Sequence, residues 1–297
     1  MTTESCTISY SKSSNAEVAA AEQALIDSLE KTCEDEMKTM GNQSSVMDQL
    51  SNIDSSSDSA FISMILCLVQ ECSSIAGAIT VASDFMTDIA NIVNLVTVAE
   101  NEVGLLFEGA DASSTMNSTE QSEMTGFVDS LNFLISSTIT VTVVDANGKA
   151  SSYTYTDGIL GYMSDDRPPP SGPWPGGKCP MDPSAVDLVV TSAQDIEDQF
   201  TTAGDTWGNT TQMWNSIVTW ANPIVDPETG IESYSPQYSK IMDDFQQIND
   251  QTDMQVQTVQ YETQQLTTMY QQYQNLTYQI MQSLAKLNMA MVTNQGK

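Results

Sequence analysis

The stretch "SAFISMILCLVQECSSIAG", residues 59–77, is the densest apolar run in a chain of 297 residues that is otherwise acidic and polar. Whether it is a membrane span, ordinary core or the start of a long helix decides the fold. Gln70 and Glu71 stand in the middle of the only apolar window near 20 residues and would face hydrocarbon, which argues against a span. Counting forward, Ile65, Leu68, Cys72, Ile75, Ile79, Ala82, Met86, Ile89, Val93, Val96, Glu100, Val103 and Phe107 recur at a spacing of 3-4-3-4 without a slip. All but Glu100 are apolar or small. A seam sustained for about six heptads predicts a coiled-coil-like helix on the order of 70 Å long. Phe61, Ile62, Leu66 and Val69 flank the seam, so the first turns are apolar on nearly all sides. A helix of that kind is buried by several neighbours, not by one.

A second seam closes the chain: Tyr238, Ile241, Phe245, Ile248, Thr252, Gln255, Val259, Glu262, Leu266, Met269, Tyr273, Leu276, Ile280, Ser283, Leu287 and Ala290. Gln255, Glu262 and Ser283 soften it, so this helix alone is a weak dimeriser. Its Gln-rich flanks offer uncharged hydrogen-bonding faces for side-by-side packing. Candidate self-association residues are therefore Phe61, Ile62, Ile65, Leu66, Leu68, Val69, Ile75 and Ile79 in the first helix. In the second they are Leu266, Met269, Tyr273, Leu276, Ile280 and Leu287.

The remaining segments are shorter. Val18, Ala21, Leu25 and Leu29 predict a first helix over 16–40, with Gly41 as its stop. Residues 109–121 read as a loop and 124–134 as a helical piece. "TITVTVV" at 138–144 alternates with period two, "DANG" supplies a turn, and the alternation continues from Ala150, which is a β-hairpin pattern. "RPPPSGPWPGGKCP" at 167–180 is a rigid Pro/Gly loop. Helical periodicity resumes over 183–220, with Trp207, Trp214 and Trp220 in its second half. The expected fold class is mainly α: a long coiled-coil-like helical hairpin built from residues 16–135 and 183–297. A flexible segment at 1–15 precedes it, and residues 136–182 form an inserted β-hairpin and Pro/Gly loop.

Composition excludes several functions. There are 39 acidic residues against nine basic ones, giving a formal charge of −30, and Arg167 is the single arginine. Nucleic acid is excluded as a partner, because phosphate contacts need clustered Lys or Arg, and anionic lipid is disfavoured for the same reason. The chain has no histidine, so the usual general base and His-containing metal sites and nucleophile pairs are missing. Carboxylate pairs at Asp165 and Asp166, or at Glu34, Asp35 and Glu36, read as solvated acidic faces on so acidic a chain. "GPWPGGKC" at 172–179 imitates a phosphate-binding loop, yet Pro173 and Pro175 lack the N–H groups such a loop needs, and Cys179 replaces its hydroxyl. No enzyme activity, cofactor or metal is expected. Cys6, Cys33, Cys67, Cys72 and Cys179 show neither metal spacing nor a disulfide framework. The tryptophans of 207–220 suit helix packing better than a ligand groove. The Ser/Thr-rich opening lacks a Sec-type signal, which fits a cytosolic protein or one exported with its N-terminus uncleaved.

Two long heptad helices enclosing a hairpin and a Pro-rich loop resemble the secreted filament proteins of bacterial type III secretion systems, the EspA and SseB group. "AFISMILCLVQECSSI" at 60–75 and "DMQVQTVQYETQQLTTM" at 253–269 carry the likeness. The resemblance implies a subunit of an extracellular filament that polymerises with itself, secreted without a cleaved Sec signal. It also implies a secretion chaperone that covers the apolar helix before export, needle or translocator proteins as further partners, and only indirect contact with a membrane. This chain is longer and more acidic than that group. The needle-tip proteins of the same machines also look like a long coiled coil carrying an inserted mixed domain. A tip or translocator-type protein is therefore the alternative, followed by an injected coiled-coil effector.

Overall fold

A computed structural model describes residues 4–51, 57–110, 115–145, 147–163, 182–221, 224–225, 232–233 and 235–295; side chains are described within these except at 40–51, 57–63, 224–225, 232–233, 287–288 and 291–295. Among the described residues the order is β1 (Ser5–Ser9), α1 (Ala16–Ser51), α2 (Ser57–Gly109), α3 (Ser118–Ile135), β2 (Ile139–Val144), β3 (Ala150–Tyr155), α4 (Gly158–Tyr162), α5 (Pro183–Thr202), α6 (Thr210–Ala221), β4 (Ile224–Val225), β5 (Glu232–Ser233) and α7 (Pro236–Gln295). The fold is mainly helical with a small antiparallel sheet of order β1-β2-β3. Both long seams form single unbroken helices, α2 of 53 residues and α7 of 60, about 80 and 90 Å long.

α2 runs between α1 and α7, antiparallel to both. Lys31 pairs with Asp84 across α1 and α2, and Asn15 at the start of α1 donates to Glu102 Oε1 near the end of α2 (3.1 Å). On the other side the Phe107 and Tyr238 rings lie 4.5 Å apart, and Asn249 Nδ2 donates to Glu100 Oε2 (3.5 Å). α2 buries a wider face than its seam. The seam members Leu68, Ile75, Ala82, Ile89, Val96 and Val103 are buried, but Ile65, Cys72, Ile79, Met86, Val93, Glu100 and Phe107 are only half-buried. A second 3-4 stripe of Ala78, Val81, Phe85, Asp88, Ile92, Leu95, Ala99, Glu102 and Leu106 is buried along its whole length. Two neighbours on different sides need two adjoining stripes, and apolar residues occupy both.

The first helix is longer than its spacing predicts. α1 continues through Gly41 to Ser51, because glycine inside a helix costs only about 1 kcal/mol and "NQSSVMDQL" allows helix beyond it. The expected helix over 183–220 divides instead. Gly204 takes φ +95°, a left-handed conformation that ends α5, and α6 starts at Thr210.

The N-terminal segment, expected to be flexible, contributes β1, which pairs with β2 in the register Cys6↔Val143 and Ile8↔Val141. Cys6 and Ile8 face inward and are buried. A strand of five residues offers too few alternations to be read against its Ser/Thr-rich surroundings. Along its other edge, the N–H of Ile8 donates to Glu30 Oε1 (2.6 Å) and that of Cys6 to Glu34 Oε1 (3.4 Å). Two carboxylates one turn apart on α1 thus satisfy an edge that would otherwise present free N–H groups.

The β2–β3 hairpin forms as its alternation predicts, with Thr142 and Ser152 hydroxyls bonded across the outer face (2.9 Å). Ile139, Val141 and Val143 point into the core, and Ile159, Leu160 and Tyr162 of α4 are buried beside them. Within the described part of 136–182, one face of β2 and most of α4 therefore pack into the core, while β3 stays largely exposed. Gly158 makes this junction: at φ +65° its backbone lies so close to the Leu134 carbonyl that a Cβ would fall 2.4 Å from it.

Candidate functional site

The buried polar side chains hold helices together. Asn15 caps α1, its Oδ1 accepting from the N–H groups of Glu17 (3.0 Å) and Val18 (3.2 Å). Its Nδ2 donates to Glu102 and to the Ser122 carbonyl (3.0 Å), so one amide joins α1, α2 and α3. Asp88, fully buried in α2, accepts from Thr32 Oγ1 (2.7 Å) and Ser28 Oγ on α1. Burial pushes the carboxyls of Glu22 and Glu102 up to about 7. Among the described residues, no group of three Cys, Asp or Glu side chains is arranged to hold a metal ion.

The acidic triplet at 34–36 is divided among three tasks. Glu34 accepts the Cys6 N–H, Asp35 forms ion pairs with Lys31 (3.1 Å) and Lys38 (2.9 Å), and Glu36 is buried. Asp165, Asp166 and the Gly-rich stretch 172–179 lie outside the described residues. The tryptophans pack as core: Trp207 lies 5.8 Å from Phe127 and Trp220 5.0 Å from Phe200, ring centre to ring centre. The Trp207 indole N–H donates to Asn132 Oδ1 (3.0 Å).

The candidate association residues separate into two groups. Leu68, Ile75 and Leu266 are buried within the chain, and Ile79 and Tyr273 pack half-buried against the core. Ile65, Leu66 and Ile280 are also half-buried. Val69 is 48% exposed and Leu276 45%, and Met269 is exposed as well. The side chains of Phe61, Ile62 and Leu287 lie outside those described. The seam of α7 is almost wholly buried from Ile241 to Leu266 and largely open beyond it. Seam counting misses further exposed residues of the same region, Met64, Tyr278, Met281 and Met289. Their apolar character was in the sequence, but they fall off the 3-4 spacing.

These open residues share one end of the molecule. The antiparallel pairs Phe107 with Tyr238 and Glu100 with Asn249, continued at 1.5 Å per residue, bring Val69 level with residues 276–280 of α7. Leu276 and Tyr278 stand about 200° apart around their axis, so α7 is apolar on opposite sides here. Tyr278 is 64% exposed and Met289 71%. α2 shows the same imbalance. By length and composition alone, Met64–Gly109 is long and apolar enough to cross a membrane, yet only 22% of its most apolar 18-residue window, of mean hydropathy 1.7, is buried within the chain. A helix serving solely as core would hide most of such a window.

No protein-family model, curated protein or solved structure matches the chain.

Proposed function

We propose that the protein is a structural subunit that assembles with copies of itself through the open end of α2 and α7. In this reading α2 and α7 form a long coiled-coil-like hairpin, satisfied inside the chain over most of its length and completed by neighbouring subunits at the end. The shallow burial of the apolar window of α2 carries the proposal. Removing a Val- or Leu-sized side chain from water contributes about 1.5–3 kcal/mol, and repetition along an array multiplies it. A head-to-tail contact that does not close generates a fibre. The setting drawn from the sequence resemblance is an extracellular filament of a bacterial type III secretion system, with a chaperone shielding this end before export.

One observation favours a second reading, a needle-tip protein. From Ile75 onward α2 is buried chiefly by α1, α3 and α7 of its own chain, and the sheet and shorter helices pack into that same core. Electron microscopy of the purified protein separates the two. Fibres support the filament subunit, small closed assemblies support the tip protein, and monomers at all concentrations contradict both.

A further inference from the structure

Cys6 lies on β1 and Cys33 on α1, two elements that the sequence gives no reason to join through sulfur. Both thiols are free and buried in the same hydrophobic core, and the Cys6 N–H reaches Glu34, the residue next to Cys33, which makes the two side chains neighbours. The strand that carries Cys6 is held against α1 on either side of the pair, through Ile8 N–H to Glu30 and Cys6 N–H to Glu34. The backbone of β1 is thus fixed against the turn of α1 that carries Cys33, and the two buried sulfurs need only a local adjustment to reach a bond of about 2.05 Å.

We propose that Cys6 and Cys33 form an intramolecular disulfide that staples the N-terminal strand to the first long helix when the chain folds in an oxidising medium. The oxidant is a small-molecule disulfide. One cysteine thiolate attacks it, releasing one small thiol and leaving a mixed disulfide; the second cysteine thiolate displaces the other small thiol. The two cysteines together lose two protons and two electrons, and the small disulfide gains them as two thiols. The other cysteines do not compete within one helix: Cys67 and Cys72 of α2 lie five residues apart, about 140° around the axis.

The pair's surroundings set the timing. The neighbouring Cys33 side chain, burial and the nearby Glu30 and Glu34 carboxylates all push the Cys6 thiol up, keeping it protonated. Exchange needs thiolate and access, so the folded dithiol reacts slowly and the bond forms during folding or after β1 lifts. Once formed it is equally slow to be reduced. It closes a loop of about 28 residues and should raise the melting temperature by roughly 5–10 °C.

The test uses the full chain, denatured with reductant and refolded with either a reduced and oxidised glutathione mixture or dithiothreitol. Peptide mass mapping without reduction should find Cys6 joined to Cys33 in monomeric protein from the glutathione sample, with the thermal midpoint higher than in dithiothreitol. Cys33→Ala should abolish the difference, while Cys67→Ser and Cys72→Ser should leave it. Mapping on the unsubstituted chain decides the matter even if Cys33→Ala does not fold. Free thiols at both positions after oxidative refolding, bonds joining other cysteines instead, or equal midpoints would overturn the proposal.

Discussion

Glu22 and Glu102 sit almost wholly out of water, one on α1 and one on α2, and burial is the main reason that each carboxyl is pushed up to about 7. The unfolded chain releases these protons near pH 4.5, so between there and neutrality the folded state binds more protons and stability falls as pH rises. Each group withholds about 1–3 kcal/mol above pH 7. The chain should therefore melt at a higher temperature at about pH 6 than at about pH 8. Glu102→Gln keeps an oxygen for the Asn15 amide and should raise the midpoint at the higher pH while flattening the dependence. Thermal unfolding followed by circular dichroism checks this, and a midpoint that climbs with pH would contradict it. Residue by residue, the sequence announces some of this and hides the rest. The acids are visible, but Glu102 lies where three helices meet at Asn15 and Glu22 accepts the Ser13 N–H (3.0 Å) from the segment before α1, neither of which spacing within one helix reveals. "NSTE" at 117–120 is a capping box, with the Asn117 N–H donating to Glu120 Oε2 (2.6 Å), legible as an N-terminus though the sequence reading has a loop there.

At the scale of elements, periodicity predicts the existence of α2 and α7 well and the buried face of α2 only in part. The 3-4 count on α2 finds one stripe, while the stripe from Ala78 to Leu106 beside it is buried more deeply. Both stripes are apolar, so the count alone has no means of ranking them; only the placement of α1 and α7 does. The difference is measurable. Phe85→Ala, off the counted seam and fully buried, should cost about 3–5 kcal/mol, whereas Met86→Ala, on the seam but half-buried, should cost under about 2 kcal/mol. Urea unfolding of the two variants gives the comparison, and equal costs would return the seam to the centre of the interface. β1 was illegible for a different reason: its inward residues Cys6 and Ile8 acquire meaning only opposite Val143 and Val141, far along the chain.

For the whole molecule, charge and apolar surface pull in opposite directions. Each copy carries a formal charge of −30, so copies repel at long range, while in the proposed assembly the open end of α2 and α7 supplies the attraction at contact. Added salt shortens the screening length from about 10 Å at 0.1 M to a few ångströms near 1 M and leaves apolar contact in place. Assembly should therefore increase between about 0.05 M and about 0.5 M sodium chloride, read as sedimentation velocity. Assembly that weakens over that range would mean that ion pairs, not apolar residues, hold the contact. The apolar all-round character of the chain near residue 65 announces several neighbours from the sequence alone, but not that α1 is one of them.

The most direct test of self-association is light scattering and circular dichroism on the same samples of the unsubstituted chain, Val69→Asp and Leu276→Asp. Both residues are nearly half exposed in the single chain, so the charged variants should keep the helical spectrum. The account predicts large assemblies for the unsubstituted chain and monomers for both variants. Variants that assemble as well as the unsubstituted chain, or an unsubstituted chain that stays monomeric at every concentration, would contradict it.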